Sequence, residues 1–254
     1  MLKVRNLNLK YDEKVIFNKL NLELEQGKWY TLIGKNGTGK STLIKSIVRL
    51  IKLDGITFEK KKVNDENINE IRKKISVVFK NNNNICEKVE EEIAFPLINI
   101  GINDEEINTR IDNILNLFGL KKIRKQEIDK LNQNDKQLVS IMSALVINPK
   151  LLILDEAFSY VDEMYKTKVL KYIKLLDITV LNVSHDIEEI LYSDNIIILE
   201  NGKIKANDKK EIIIENKLLK EYPFIVDLSI KLKYYNLVDE IIYDYQKLVD
   251  TVWK

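Results

Sequence analysis

The stretch "KWYTLIGKNGTGKST", residues 28–42, decides how this chain is read. Its first part, "KWYTLIG", is apolar, aromatic and β-branched, the texture of a buried strand. The strand runs straight into a glycine-rich turn, although the whole 254-residue chain holds only eight glycines. A helical period follows, from Lys40 to about Ile51. Gly34, Lys35, Asn36, Gly37, Thr38, Gly39, Lys40, Ser41 and Thr42 satisfy the spacing G-x-x-x-x-G-K-[ST]. The physics of that spacing is direct. Glycines let backbone N–H groups curl around phosphate oxygens, and the helix start adds the positive end of its dipole. Lys40 brings a point charge to the outer phosphates, and the Ser41 hydroxyl is a Mg²⁺ ligand by type.

Two later stretches complete a site of this kind. "LLILDE", residues 151–156, is a buried strand that ends in two carboxylates. Asp155 suits a water-mediated hold on Mg²⁺, and Glu156 suits polarisation of an attacking water. The lone histidine, His185, ends the strand "VLNVSH". The carboxyl ends of strands in open α/β sheets are where ligands bind. From there an imidazole can donate a hydrogen bond to a γ-phosphate oxygen.

Around these stretches the chain alternates strands and helices. Leu2–Tyr11 and residues 20–24 alternate as strands, "GITFEKKKV" as another, "INEIRKKI" as a short helix and "SVVF" as a strand. Residues 81–147 are helical in texture, with the Asn81–Asn84 run as a loop. "LLILD", "ITVLNVS" and "NIIILE" are parallel-type strands. From about Asp208 the pattern turns helical. These elements predict an α/β core spanning residues 1–206, with mostly parallel strands, an inserted helical subdomain at about 81–147 and a helical extension at 207–254.

Composition narrows the function. Hydrophobic content of 45% with 31% charged residues suits a soluble protein with a core. A net charge of +2 is too small to argue for nucleic acid or an anionic membrane surface, and no nucleic-acid partner is expected. The single cysteine, Cys86, excludes an internal disulfide framework. No apolar run approaches the ~18 residues of a membrane span, and the start lacks a leader-type apolar segment. A cytoplasmic protein is expected, with any membrane role acting through partners.

With these residues in place the chain resembles the nucleotide-binding subunits of ABC ATPases, whose core is a P-loop NTPase fold. The resemblance rests on Tyr11, residues 34–42, Asp155, Glu156, "SYVD" with Asp162, and His185 in "VSHD". It implies ATP and Mg²⁺ as ligands, with Tyr11 on adenine, Asp162 in the D-loop facing a second subunit, and His185 as the switch histidine. The segment after "SVVF" and the tail "LLKEYPFIVDLSIKLKYYNL" resemble those of energy-coupling-factor (ECF) importer ATPases. That narrower resemblance implies vitamin or transition-metal uptake at the cytoplasmic face of the membrane. It also implies three kinds of partner: a second ABC ATPase, a transmembrane coupling protein and a substrate-binding membrane subunit. Two alternatives remain, an ATPase subunit of another ABC transporter and a nucleotide-binding regulatory subunit that hydrolyses little.

Two departures from the family pattern matter. Where the family signature reads LSGGQ, this chain has Leu131, Asn132, Gln133, Asn134 and Asp135. Side chains replace the glycines, so close backbone approach to phosphate is obstructed. Asn134 or Asp135 is expected to cap the next helix. Asp135 would also face an anion, at a cost of about 4 kcal/mol for unit charges at ~4 Å and a dielectric of ~20. The second departure is Lys80, where the family places the Q-loop glutamine. A protonated lysine cannot ligate a cation, so Lys80 is expected to repel Mg²⁺ or lean toward phosphate. The acidic run "EKVEEE", residues 87–92, suits either a partner's basic residues or a helix start.

In the family, dimers are head-to-tail, and each ATP lies between one subunit's P-loop and the other's signature. The departures therefore imply an asymmetric pair with a partner carrying an intact signature.

Overall fold

The computed structural model describes residues 1–81 and 84–252. Strands β1 (Leu2–Tyr11) and β2 (Lys14–Leu24) pair antiparallel. Leu2, Val4 and Leu7 on β1 and Leu20, Leu22 and Leu24 on β2 are buried. Strand β3 (Trp29–Ile33) leads into helix α1 (Lys40–Ile47). This helix is a turn shorter than its period predicts. Arg49 takes a left-handed φ of 55°, and the Leu50 and Ile51 N–H groups donate back to the Lys45 carbonyl. "GITFEKKKV" is two strands, β4 (Ile56–Phe58) and β5 (Lys61–Lys62), because Glu59 and Lys60 both take positive φ and turn the chain back on itself.

Helix α2 (Ile68–Arg72) and strand β6 (Ile75–Phe79) follow. Helices α3 (Val89–Asn99), α4 (Asp104–Phe118) and α5 (Gln133–Leu145) then form a layer of their own. The Asn81–Asn84 run precedes it, and of that run Asn82 and Asn83 lie outside the described residues. Helix α4 shows why this layer is helical. Asn103 caps it by accepting from the Glu106 N–H at 2.9 Å, and acids fill its first turn. Ile107, Ile111, Ile114, Leu115 and Phe118 make one buried stripe, each side chain contributing roughly 1.5–3 kcal/mol of burial.

Strand β7 (Leu151–Asp155), helix α6 (Glu163–Leu175), strand β8 (Thr179–Val183), strands β9 (Asn195–Glu200) and β10 (Lys203–Lys209), and helices α7 (Lys210–Glu215), α8 (Phe224–Tyr234) and α9 (Tyr245–Val252) complete the chain. The tail is a strand through Lys209 rather than a helix from Asp208. Pairing with β9 carries the chain past the position where composition alone turns helical, and a boundary at 206/207 falls within β10.

The large sheet has strand order β10-β9-β3-β8-β7-β6. The five strands β9, β3, β8, β7 and β6 are parallel, and β10 is antiparallel to β9. The smaller antiparallel sheet runs β2-β1-β4-β5. The large sheet is covered on both faces, so its central strands are apolar without alternation. Leu152 and Leu154 of β7 pack with the helical layer, and Leu151 and Ile153 pack with α1 and the small sheet. Strand β9 divides its residues in the same way. Ile197 and Leu199 join the core under the small sheet, whereas Ile196 packs with Ile213, Ile214 and Val226 of the tail.

Candidate active site

Strand register builds the site. Phe79 of β6 pairs with Asp155 of β7, and Asp155 pairs with Val183 of β8. Leu32 of β3 also pairs with Val183. The next residues along, Gly34, Lys80, Glu156, Ser184 and His185, therefore emerge at one carboxyl edge of the sheet.

The glycine-rich turn sits at this edge because two of its glycines allow close contacts. A Cβ on Gly34 would lie 2.6 Å from the Leu199 carbonyl oxygen of β9. Gly39 takes φ of 100°, and a Cβ there would lie 2.8 Å from Ile16 and 2.9 Å from Phe17. Gly39 is also the N-cap of α1 and offers no side-chain cap, so the first N–H groups of that helix face the turn. Lys40 Nζ donates to the Gly34 and Lys35 carbonyls at 2.8 and 3.2 Å, reaching back across the cradle. Burial lowers its pKa, against the pull of Glu156 and Asp155. The Asp155 carboxyl, 6% exposed, is raised by burial, although a hydrogen bond with Ser41 favours its ionised form. Lys35, Asn36, Gly37, Thr38 and Thr42 complete the loop, with Thr38 Oγ1 donating to the Lys35 carbonyl at 2.9 Å. Tyr11 ends β1 with its ring half exposed.

Glu156 follows the strand at φ of 53°, a left-handed conformation that costs a non-glycine residue about 1 kcal/mol or more. Its N–H donates to the Val183 carbonyl, and its own carbonyl accepts from Ser159 Oγ. The side chain lies between two donors. His185 Nε2 is 2.8 Å from Oε1, and Lys80 Nζ is 2.8 Å from Oε2. Burial alone would raise this carboxyl, but the Lys80 hydrogen bond and the His185 and Lys80 charges hold it below the usual range. Lys80 is raised by the same bond. Beside the expected lean toward phosphate or repulsion of Mg²⁺, Lys80 has a partner within its own chain: the neighbouring register position holds a carboxylate, and the ammonium takes it.

The "LNQND" residues close on one another. Asn132, not Asn134 or Asp135, caps α5: its Oδ1 accepts from the Asp135 N–H at 2.8 Å. Asn132 and Asn134 each donate through Nδ2 to the Asp135 carboxylate, at 3.1 and 3.0 Å. Asn134 is drawn away from capping because its Oδ1 accepts from the backbone N–H of Asp162 at 2.9 Å. Gln133 begins the helix and is exposed. One chain thus holds two contrasting helix starts, α1 without a side-chain cap and α5 capped. The acids of the 87–92 run serve their own fold: Glu90 pairs with Arg124, and Glu92 accepts from the Ile85 and Cys86 N–H groups.

One cluster has no signal in the sequence. Lys166 of α6, its side chain 7% exposed, contacts Asp186, Glu189 at 3.5 Å and Glu163 at 3.6 Å. It fastens the helix that follows Asp162 to the segment that follows His185. Burial raises the Glu189 carboxyl and would lower Lys166, but the Asp186 bond and the surrounding carboxylates raise Lys166 overall.

Comparisons with known proteins show what the chain is similar to. Residues 17–159 match the family described as ABC transporter. The energy-coupling factor transporter ATP-binding protein EcfA1 of Mycoplasmopsis synoviae is 34% identical over 90% of this chain and 92% of its own length. Its namesake from Ligilactobacillus salivarius is 38% identical over 85% and 80%. Among solved structures, cbiO1 from Clostridium perfringens, described as part of the ABC transporter complex cbiONQ, superposes with a TM-score of 0.75 at 27% identity, covering 92% of this chain and 96% of that one. The ATP-binding cassette MJ0796, as a dimer bound to ADP and Pi, gives 0.74 at 25% identity, covering 82% and 98%.

Proposed function

Because the chain belongs to the ABC transporter family of ATPases, we propose that it is an ATP-hydrolysing subunit of an ECF-type importer, paired asymmetrically with a second ABC ATPase that carries an intact signature. Hydrolysis of ATP coupled to transport is the activity of this family. Two finer readings are part of the proposal: uptake of a vitamin or transition-metal ion, and a peripheral position at the cytoplasmic face beside a coupling protein and a substrate-binding membrane subunit. Among the described residues no helix is long and apolar enough to cross a membrane, so contact with the bilayer would run through those partners.

The observation that carries the asymmetric pair is the contrast between the two helix starts. Helix α1 presents its first N–H groups to the glycine-rich turn, whereas α5 has its Asp135 N–H taken by the Asn132 side chain and its start covered by the Asp135 carboxylate and two asparagine amides. In a head-to-tail dimer the site on this chain's P-loop would be completed by the partner. The site on the partner's P-loop would meet the closed "LNQND" surface and be weak.

At the stronger site, Tyr11 would stack on adenine, and Lys40 would turn from the Gly34 and Lys35 carbonyls to the outer phosphates. Glu156 would accept the proton of the attacking water, and His185 would donate to a γ-phosphate oxygen. The donor set suits Mg²⁺. Ser41 and Asp155 already meet at the start of α1, and substrate oxygens and water would supply the rest of the shell. When bound, Mg²⁺ would neutralise charge developing on the phosphates. Asp162 would face the partner from the start of α6.

Affinity purification from the native membrane tests the reading. The isolated chain should turn over ATP slowly, and a co-purifying ATPase with LSGGQ should accompany the active fraction. Rapid turnover by a verified homodimer would refute it. The Lys80–Glu156 pair favours a second reading, a nucleotide-binding regulatory subunit, which requires the assembled complex to hydrolyse at the same rate when Glu156 is replaced.

A further inference from the structure

The pairing of Lys80 with Glu156 is specific to this chain's departure at the Q-loop position. It leaves both carboxylate oxygens of Glu156 engaged, one by Lys80 Nζ and one by His185 Nε2, each at 2.8 Å. A general base works through an oxygen lone pair offered to water, and a phosphate donor works through an N–H offered to the substrate. In this arrangement Glu156 and the imidazole are spent on each other, and Lys80 holds the far oxygen of the same carboxylate.

We propose that Lys80 is a latch on Glu156: it restrains the base in this self-paired arrangement, and hydrolysis proceeds when a shift of α5 against the end of β6 draws the ammonium away. The proposal rests on Glu156 being the base.

Three observations support a two-position lysine. First, Lys80 lies directly after β6, and Gln137 of α5 donates to the carbonyl of the preceding residue, Phe79, at 3.2 Å. Gln137 is 4% exposed, so this bond ties the helical layer to the backbone beside the latch. A shift of α5 against the sheet is thereby transmitted to Lys80. Second, Lys80 lines a polar cavity of about 430 Å³ together with Glu87, Asp129, Gln133, Gln137 and Tyr160. Glu87 and Asp129 line that cavity with one other cation, Lys136, so the displaced ammonium has carboxylate and amide oxygens to meet on the side away from Glu156. Third, the Lys80 side chain is 45% exposed, against 21% for Glu156. A half-exposed pair is weak enough to open during turnover, because solvent screens its attraction. A fully buried pair would not be.

The test uses the full complex, isolated by a tag on this chain, with ATP turnover measured across ATP concentrations. Lys80→Gln and Lys80→Met should raise kcat about two- to fivefold, the span expected from removing one partly exposed ion pair, with KM for ATP unchanged. Lys80→Arg, which keeps a cation in reach of Glu156, should give a kcat below those of both the Gln and the Met variants. An unchanged or lower kcat in both Gln and Met variants overturns the latch, as does an Arg variant that behaves like Met. Thermal melts of each variant should stay within about 3 °C of the wild type, because Lys80 is exposed and its ion pair is screened by solvent. A lowered melt accompanied by lowered kcat assigns Lys80 to structural support and also overturns the proposal. Failure of the underlying reading looks different: Glu156→Gln would then leave turnover intact whatever residue stands at position 80.

Discussion

The side-chain oxygen of Asn134 accepts a hydrogen bond from the backbone N–H of Asp162 at 2.9 Å, so the "LNQND" segment at the start of α5 holds the start of α6. In place of glycines that would leave backbone N–H groups open, the segment carries side chains that bind one another and the start of α6. That exchange has a measurable cost and a measurable benefit.

Restoring the signature should separate the two. The combined change Asn132→Ser, Gln133→Gly, Asn134→Gly and Asp135→Gln should raise turnover of the isolated chain by at least about tenfold, as a homodimer gains a phosphate-facing helix start. The same change should lower stability by roughly 1–2 kcal/mol, through two glycines in the first turn of α5 and a lost tie to Asp162. Steady-state turnover and urea unfolding check the two halves. Unchanged turnover would show that "LNQND" is not what limits the homodimer.

Glu156→Gln keeps the shape of the side chain and removes the carboxylate proposed as the base. The assembled complex should retain ATP binding and lose turnover by about a hundredfold or more. Filter binding of labelled ATP alongside phosphate release measures both. Persistent turnover would place the working site on the partner's P-loop.

Asp155 is held in an environment that disfavours its charge, chiefly by burial. Its folded pKa lies above its unfolded one. The destabilising contribution is therefore present above the folded pKa and fades as the pH falls through it toward the ordinary carboxylate range. Asp155→Asn should accordingly raise the melting temperature at neutral pH while abolishing Mg²⁺-dependent turnover. The gain in melting temperature should shrink at acid pH. A variant that melts lower at pH 7 would contradict the assignment of strain to this carboxylate.

Lys166→Met would leave Asp186 and the buried Glu189 without their cation. Breaking the buried Lys166–Glu189 pair in this way costs about 3 kcal/mol. For a chain of this size that lowers the melting temperature by roughly 6–12 °C. Lys166→Arg should recover most of the loss. A melt within about 2 °C of wild type for the Met variant would show that the cluster is not a structural bolt.

The site was legible wherever function lies at the end of a buried strand. Asp155, Glu156 and His185 each follow an apolar run, and strand ends in a parallel sheet converge by register. The glycine-rich turn was legible because its residue types have few alternative uses. What the residues could not disclose was which partner each polar side chain takes. Asn132, Asn134 and Asp135 are all capping residues by type, and only the position of Asp162 selects among them. Lys80 meets Glu156 through pairing of strands far apart in the chain, and Lys166 finds its carboxylates on another segment. Local conformation set the other differences: Glu59 and Lys60 at positive φ split one apparent strand into two.

The close seat of Gly34 against Leu199 has a consequence for the outline of the protein. Strand β9 supplies the wall on which the phosphate turn rests, and its opposite face is covered by Ile213, Ile214 and Val226 from the tail. A shortened chain ending after β10 would keep every motif yet expose the back of that wall to water. The motifs mark the candidate site, but the footing that keeps the glycine-rich turn in place extends into the helices of the tail.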